Sequence, residues 1–82
     1  METRVAILSI IVEEHESVEK LNHLLHQYRD GIIGRMGIPY KDKGISVISV
    51  VLDATVNEIN ALTGAVGKLP GVTAKATYSK TK

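Results

Sequence analysis

Two strand-length segments of the chain, residues 4–12 and 45–52, carry aliphatic side chains at nearly every position. Their sequences, RVAILSIIV and ISVISVVL, are rich in β-branched residues, which favours strands. A strand with one face in water alternates apolar and polar side chains, whereas these two segments are apolar on both faces. Both are therefore predicted to lie at the centre of a sheet, with neither face in water.

A first helix is predicted directly after residues 4–12. Ser17 is predicted to cap its N-terminus, and Asp30 with Gly31 to end it. One face of this helix is predicted to be apolar, because aliphatic and aromatic residues recur at helical spacing. These residues are Val18, Leu21, Leu24, Leu25 and Tyr28.

A second helix is predicted after residues 45–52. Thr55 and Glu58 have the spacing of a capping box, in which each side chain bonds to the backbone amide of the other residue. Residues 69–71, Leu-Pro-Gly, end the helix. Because glycine weakens a helix, we expect Gly64 and Gly67 to serve close packing on the sheet or on a neighbouring element.

Two further strands complete the pattern. Residues 32–38 form the second strand, residues 39–44 a turn, and residues 72–78 an edge strand with alternating polarity. The order β-α-β-β-α-β predicts an α+β, ferredoxin-like βαββαβ sandwich, with a four-stranded antiparallel sheet and two helices on one face. Within it, we expect the first and third strands to be central and to run parallel to each other. Residues 1–82 are predicted to form this one domain.

Both helices of such a fold cover the same face of the sheet, which leaves aliphatic side chains on the other face. Contiguous exposed apolar patches usually mark an interface. We therefore expect a homo-oligomer, a dimer or a tetramer, built most simply on a twofold axis. Partial cover by the tail and loops is the alternative. The predicted interface residues are Val5, Ile7, Ser9, Ile11, Val47, Ser49 and Val51.

A ligand site is predicted where the first loop meets the second strand. Glycine within a strand admits close approach of a ligand or backbone, or simply curves the sheet, and an arginine there could pair with an anionic group. We expect the pocket to lie at a subunit interface. The predicted ligand-binding residues are Glu14, His15, Gly34, Arg35, Gly37 and Tyr40.

A metal site is a further hypothesis for the first helix. His23 and His26 share a stripe with Glu19 and Asp30, and these donors could hold a transition metal. The same stripe is typical of a solvated helix face with local ion pairs. No spacing indicates a nucleophile with its base or a pair of buried acids, so no catalysis is expected and no cofactor is identified.

Composition excludes several functions that this fold can carry. The absence of cysteine removes disulfides, iron–sulfur ligation and Cys-x-x-Cys metal sites. No Phe or Trp is present to stack RNA bases on the sheet, and a net charge of +1 is too balanced to predict nucleic-acid binding. No apolar run approaches the ~20 residues of a membrane span, so we expect a cytoplasmic protein without membrane contact.

Several strings along the chain resemble one family. They are GRMGIPY at residues 34–40, GISVIS at 44–49, NEINALTG at 57–64 and LPGV at 69–72. They are similar to those of small proteins named as regulators of the iron-only hydrogenase system, which share their fold with ACT domains and the C-terminal domain of the nickel-responsive regulator. The resemblance implies a cytoplasmic, oligomeric regulatory domain.

Three properties of those fold relatives do not transfer. The nickel site uses histidines and a cysteine, whereas this chain has no cysteine and its histidines lie in the first loop and first helix. The sandwich uses all residues, which leaves none for a DNA-binding domain. Residues 13–16 lack the glycine with which ACT domains often admit an amino acid.

The leading hypothesis for function is a non-enzymatic, ligand-sensing oligomer associated with the iron-only hydrogenase system. Its expected partners are its own copies, a small-molecule effector and a hydrogenase-system protein. One alternative is a structural oligomerisation or partner-binding module. Another is a small dimeric ferredoxin-like enzyme.

Overall fold

The computed structural model describes residues 2–80, which form one four-stranded sheet with two helices packed on one of its faces. The strands are β1 (Arg4–Val12), β2 (Ile32–Tyr40), β3 (Ile45–Ala54) and β4 (Val72–Tyr78), and the helices are α1 (Ser17–Gln27) and α2 (Val56–Gly67). This order confirms the predicted α+β, ferredoxin-like βαββαβ architecture. The bounds of β1 and β4 are those predicted from the sequence.

The strand order in the sheet is β2-β3-β1-β4, and every neighbouring pair is antiparallel. The first and third strands are central, as predicted, but the prediction that they run parallel was wrong. A hairpin reverses the chain between β2 and β3, so β3 runs opposite to both β2 and β1. Each βαβ crossover therefore skips one strand and joins strands that do not touch.

The core lies between the sheet and the helices. Alternate residues of β1 and β3 point into it, and the apolar stripes of α1 and α2 close over them. Its buried residues are Ala6, Leu8, Ile10, Val12, Leu21, Leu25, Ile48, Val50, Leu52, Ala54, Ile59, Leu62 and Val66. Among residues 2–80, no buried side-chain nitrogen or oxygen lacks a hydrogen-bond partner.

The β2–β3 hairpin is longer than predicted. Pro39 and Tyr40, assigned to a turn from the sequence, continue the ladder opposite Ser46 and Ile45. The turn itself is a single 3-10 turn, Lys41–Lys43, closed by Gly44 at a positive φ of 66°. Cross-strand pairing thus outweighs the turn preference of proline here.

Two predictions at the ends of α1 were wrong. Ser17 does not cap the helix; it is buried in the first turn, and its hydroxyl donates a hydrogen bond of 2.6 Å to the carbonyl of Pro70. The helix ends at Gln27, and Arg29–Gly31 forms a separate 3-10 turn. Gly31 packs against the end of β3, where a Cβ would lie 3.3 Å from the Asp53 carbonyl oxygen.

The capping box of α2 is confirmed. The Thr55 hydroxyl accepts from the Glu58 amide at 3.1 Å, and the Glu58 carboxylate accepts from the Thr55 amide at 2.9 Å. The prediction of close packing at Gly64 was wrong, because a Cβ there would meet nothing within 4 Å. A Cβ at Gly67 would make only an ordinary van der Waals contact with Ala74. Gly64 therefore costs helix stability, about 1 kcal/mol relative to alanine, without a packing role inside the chain.

A β-bulge at Ile33 sets the orientation of the rest of β2. Ile32 pairs with Leu52, but the next paired residue is Gly34, opposite Val51, so Ile33 is the extra residue. Side chains alternate along a strand, so this insertion decides which residues of β2 face the helices. Arg35 shares the helix-covered face, and Met36 the opposite one.

Candidate functional site

The sheet face opposite the helices is exposed and apolar; we call it the open face. Seven large apolar side chains on it are between 40% and 62% exposed. They are Val5, Ile7, Ile11, Met36, Ile38, Tyr40 and Val47. Ser9 and Ser49 face each other near its middle, as a cross-strand pair of β1 and β3.

A polar strand borders the open face on one side. On β4, the residues that share this face are Thr73, Lys75 and Thr77, and Lys75 lies opposite Ser9. The apolar surface therefore covers β1, β3 and β2 and stops at β4. This arrangement resembles an interface, in which an apolar centre is bounded by a polar rim.

All seven residues predicted as interface lie on the open face. Sequence reasoning missed the contribution of β2, which adds Met36, Ile38 and Tyr40. The bulge at Ile33 places these three residues on that face, and its position follows from the pairing with β3. The glycines around it were the one signal, because glycine within a strand often marks a bulge.

A cavity of about 380 Å³, the hairpin cavity, lies between the end of β1, the loop after it and the β2–β3 hairpin. It is lined by Val12, His15, Pro39, Tyr40, Lys41, Gly44 and Ser46. Of the predicted ligand-binding residues, the cavity brings together His15 and Tyr40. The polar side chains that line it carry an imidazole, a phenol, an ammonium and a hydroxyl group, each able to donate a hydrogen bond.

The other predicted ligand-binding residues lie apart from this cavity. The Glu14 side chain lies over Gly71, where a Cβ would come within 2.6 Å of its Cγ. Arg35 donates a hydrogen bond from its guanidinium to the amide oxygen of Asn22 on α1. A Cβ at Gly34 would meet nothing within 4 Å, and one at Gly37 would contact Ile48.

The predicted metal ligands lie on the exposed side of α1. The His23 ring contacts the Gln27 amide at 3.3 Å, and the His26 carbonyl accepts from Arg29 at 3.0 Å. Within residues 2–80, no three His, Cys, Asp or Glu side chains come close enough together to hold a metal ion. The geometry adds no support to the hypothesis that His23 and His26 bind a metal, which stays a prediction.

Glu58 has a shifted pKa and lies away from the hairpin cavity. Hydrogen bonds from the Thr55 amide and hydroxyl lower the pKa of Glu58 below its ordinary value of 4.5. This carboxylate is exposed and belongs to the α2 cap, so the shift reflects a structural role.

No helix within residues 2–80 has the length and apolar character needed to cross a bilayer.

Comparison with known proteins shows a family for this chain and a solved structure that it resembles. Residues 4–76 match the family model TM1266-like, described as "Iron-only hydrogenase system regulator, putative". The structure of the uncharacterized protein TM1266 from Thermotoga maritima superposes with a TM-score of 0.92, at 32% sequence identity, over 96% of this chain and 100% of that one. No curated protein matches significantly.

Proposed function

This chain belongs to the TM1266-like family, and we propose that it is a non-enzymatic regulatory module of the iron-only hydrogenase system that works as an oligomer. The description of the family as a regulator supports a role in control. The observation that supports an oligomer is the open face, which no element within residues 2–80 covers.

The size of the open face supports a protein interface. Strands lie about 4.8 Å apart and rise about 3.3 Å per residue, so three strands of nine residues span roughly 14 by 30 Å, on the order of 400 Å². Monomeric proteins rarely expose a contiguous apolar patch of more than a few hundred Å². A second copy placed face to face by a twofold axis would cover this patch with an identical one, with β4 as the polar rim.

The test is the oligomeric state of the full chain, measured by sedimentation velocity. Val47 on the open face and Val56 on α2 are each 40% exposed, so Val47→Lys and Val56→Lys form a matched pair. We expect the wild type and Val56→Lys to be oligomeric, and Val47→Lys to be monomeric because a buried lysine would lack a partner. Circular dichroism verifies folding, and Ile7→Lys serves as the second open-face variant. A monomeric wild type would overturn the proposal.

Ligand sensing is assigned to the hairpin cavity. Its polar lining groups are donors, and no carboxylate lines it, which favours a small molecule with an anionic group beside an apolar part. Tyr40 belongs to both the hairpin cavity and the open face. A ligand that moves Tyr40 would therefore change the interface, which links binding to assembly.

Calorimetry tests this assignment with free amino acids, citrate and inorganic phosphate as probes. We expect binding of at least one probe, lost in Tyr40→Ala and kept in Arg35→Ala. Arg35 is the control because it bonds to Asn22, outside the hairpin cavity. Equal loss in both variants would overturn the assignment to this cavity, and no binding by the intact oligomer would overturn ligand sensing.

A structural assembly module is the second candidate. The large area of the open face and the small volume of the hairpin cavity favour this candidate. An oligomer that binds no probe, yet depends on Val47, would support this candidate. A dimeric enzyme has less support, because the family is described as a regulator.

A further inference from the structure

A groove with a volume of about 810 Å³ runs between α1 and α2, in the helix layer, on the side of the molecule away from the open face. We call it the helix groove. Its apolar lining comes from Leu24, Leu69, Ala61, Gly64 and Ala65. Leu24 and Leu69 are half-buried against the core, so the groove has an apolar floor with solvent above it.

The outer surface of α2 is unusual for a helix that faces water. No charged residue occurs between Glu58 and Lys68, and α2 lines the groove with Asn60 and the small residues Ala61, Gly64 and Ala65. An exposed helix face usually carries charged or polar side chains. Gly64 weakens the helix, and a Cβ there would meet open space. Packing within the chain therefore does not account for the shape of this surface.

The charged groups around the groove are mostly basic. Lys20 and Lys68 contribute two positive charges. Glu19 is the one carboxylate that lines it. The rim therefore complements a segment with negative charge beside its apolar residues.

We propose that the helix groove docks an acidic amphipathic helix of a partner protein. Helices pack at axial distances of about 8–10 Å, and small residues permit the closest approach. The apolar side of the incoming helix would lie over Gly64 and Ala61, and its carboxylates would reach Lys20 and Lys68. A second copy of the same groove does not fit, because two concave surfaces leave the space between them empty. Recognition of an amphipathic helix in an apolar groove is a common mode of peptide binding.

Substitutions at Gly64 separate folding from docking. Both Gly64→Ala and Gly64→Gln replace glycine with a better helix former, so both should raise the urea midpoint of unfolding. Alanine adds one methyl group and leaves the groove open, whereas the glutamine side chain occupies it. Binding is measured by fluorescence anisotropy with a labelled synthetic helix that carries Leu and Ala on one face and Glu on its flanks.

We expect Gly64→Gln to weaken peptide binding by roughly tenfold or more, and Gly64→Ala to change it by about twofold or less. Lys20→Glu with Lys68→Glu should weaken it by a similar factor, and added salt should then strengthen binding, because it screens the repulsion between like charges. Lys75→Glu, on the sheet face, is a charge-reversal control away from the groove and should bind as the wild type does. A peptide with Lys in place of Glu should not bind.

Four results would overturn this proposal. The first two are equal binding of the acidic and basic peptides, and no binding of the acidic one. Another is unchanged binding by Gly64→Gln. A change of oligomeric state in Gly64→Gln would show that the helix groove is a contact between copies of this chain. The binding results do not bear on the open face, whose test uses Val47 and Val56.

Discussion

The two faces of the sheet are built from the same kind of residue and have opposite environments. Ile10 and Ile11 are neighbours in β1, yet Ile10 is 1% exposed and Ile11 is 42% exposed. The helices account for this difference, because they cover one face alone. Aliphatic residues on both sides of a strand therefore do not reveal which side is buried, and within residues 2–80 the helices bury one side only.

Truncation of these two neighbours should show the difference most strongly. We expect Ile10→Ala to lower the free energy of unfolding by about 2–5 kcal/mol, because it leaves a cavity in the core. Ile11→Ala should cost less than about 1 kcal/mol in the dissociated subunit, since its side chain is already half in water. Urea denaturation at low protein concentration measures both. Equal costs in the dissociated subunit would contradict the assignment of the two faces.

Protein concentration provides the next test of the open face. If a second copy covers it, the apparent stability of the wild type should rise by about 1.4 kcal/mol for each tenfold increase in concentration of a dimer. Ile7→Lys should remove this dependence and leave the core intact. Thermal unfolding over a range of concentrations measures the effect, and a constant midpoint in the wild type would contradict it.

The stability of the helix-covered side of the sheet also depends on the N-terminal cap of α2. Thr55→Ala removes the capping hydroxyl that accepts from Glu58, and should cost about 1 kcal/mol. Thr73→Ala, on the open side of the edge strand β4, should change stability by less than about 0.5 kcal/mol. Urea titration of both variants compares the loss of unfolding free energy in the helix layer with the loss on the open face. A larger loss in Thr73→Ala would reverse this ranking.

The smallest expected effect is a pH dependence at the same cap. The folded state lowers the pKa of Glu58, so the carboxylate stabilises the fold above its ordinary pKa of 4.5. This stabilisation is lost as the pH falls through the lower, folded pKa. The difference in urea midpoint between the wild type and Glu58→Gln should therefore shrink from pH 7 to pH 3. A difference that stays constant would show that the charge of Glu58 is not involved.

Most of the fold was predictable because the signals are local. The aliphatic runs, the helical spacing and the Thr55–Glu58 box each identify an element without knowledge of the rest. Two of the errors occur where a residue bonds to a partner on another element. Ser17 bonds to Pro70 across the domain instead of capping α1. Pro39 and Tyr40 extend β2 because Ser46 and Ile45 are there to pair with them.

The candidate site was less predictable than the fold. His15 and Tyr40 do meet at the hairpin cavity, because the loop after β1 lies beside the hairpin. Arg35 was expected with them, but the bulge places it on the helix side, where Asn22 binds it. The helix groove was missed altogether, since the spacing of Gly64 indicates a helix interruption and does not reveal open space above it.

The bulge at Ile33 also determines where this chain can change its length. Deletion of Ile33 would leave Ile32 opposite Leu52 and Gly34 opposite Val51, as successive pairs of a regular ladder. Loss of a residue farther along β2 would shift the register and turn Met36 and its neighbours toward the helices. Natural deletions within this strand should therefore concentrate at Ile33, where evolution can remove one residue without inverting the surface beyond it.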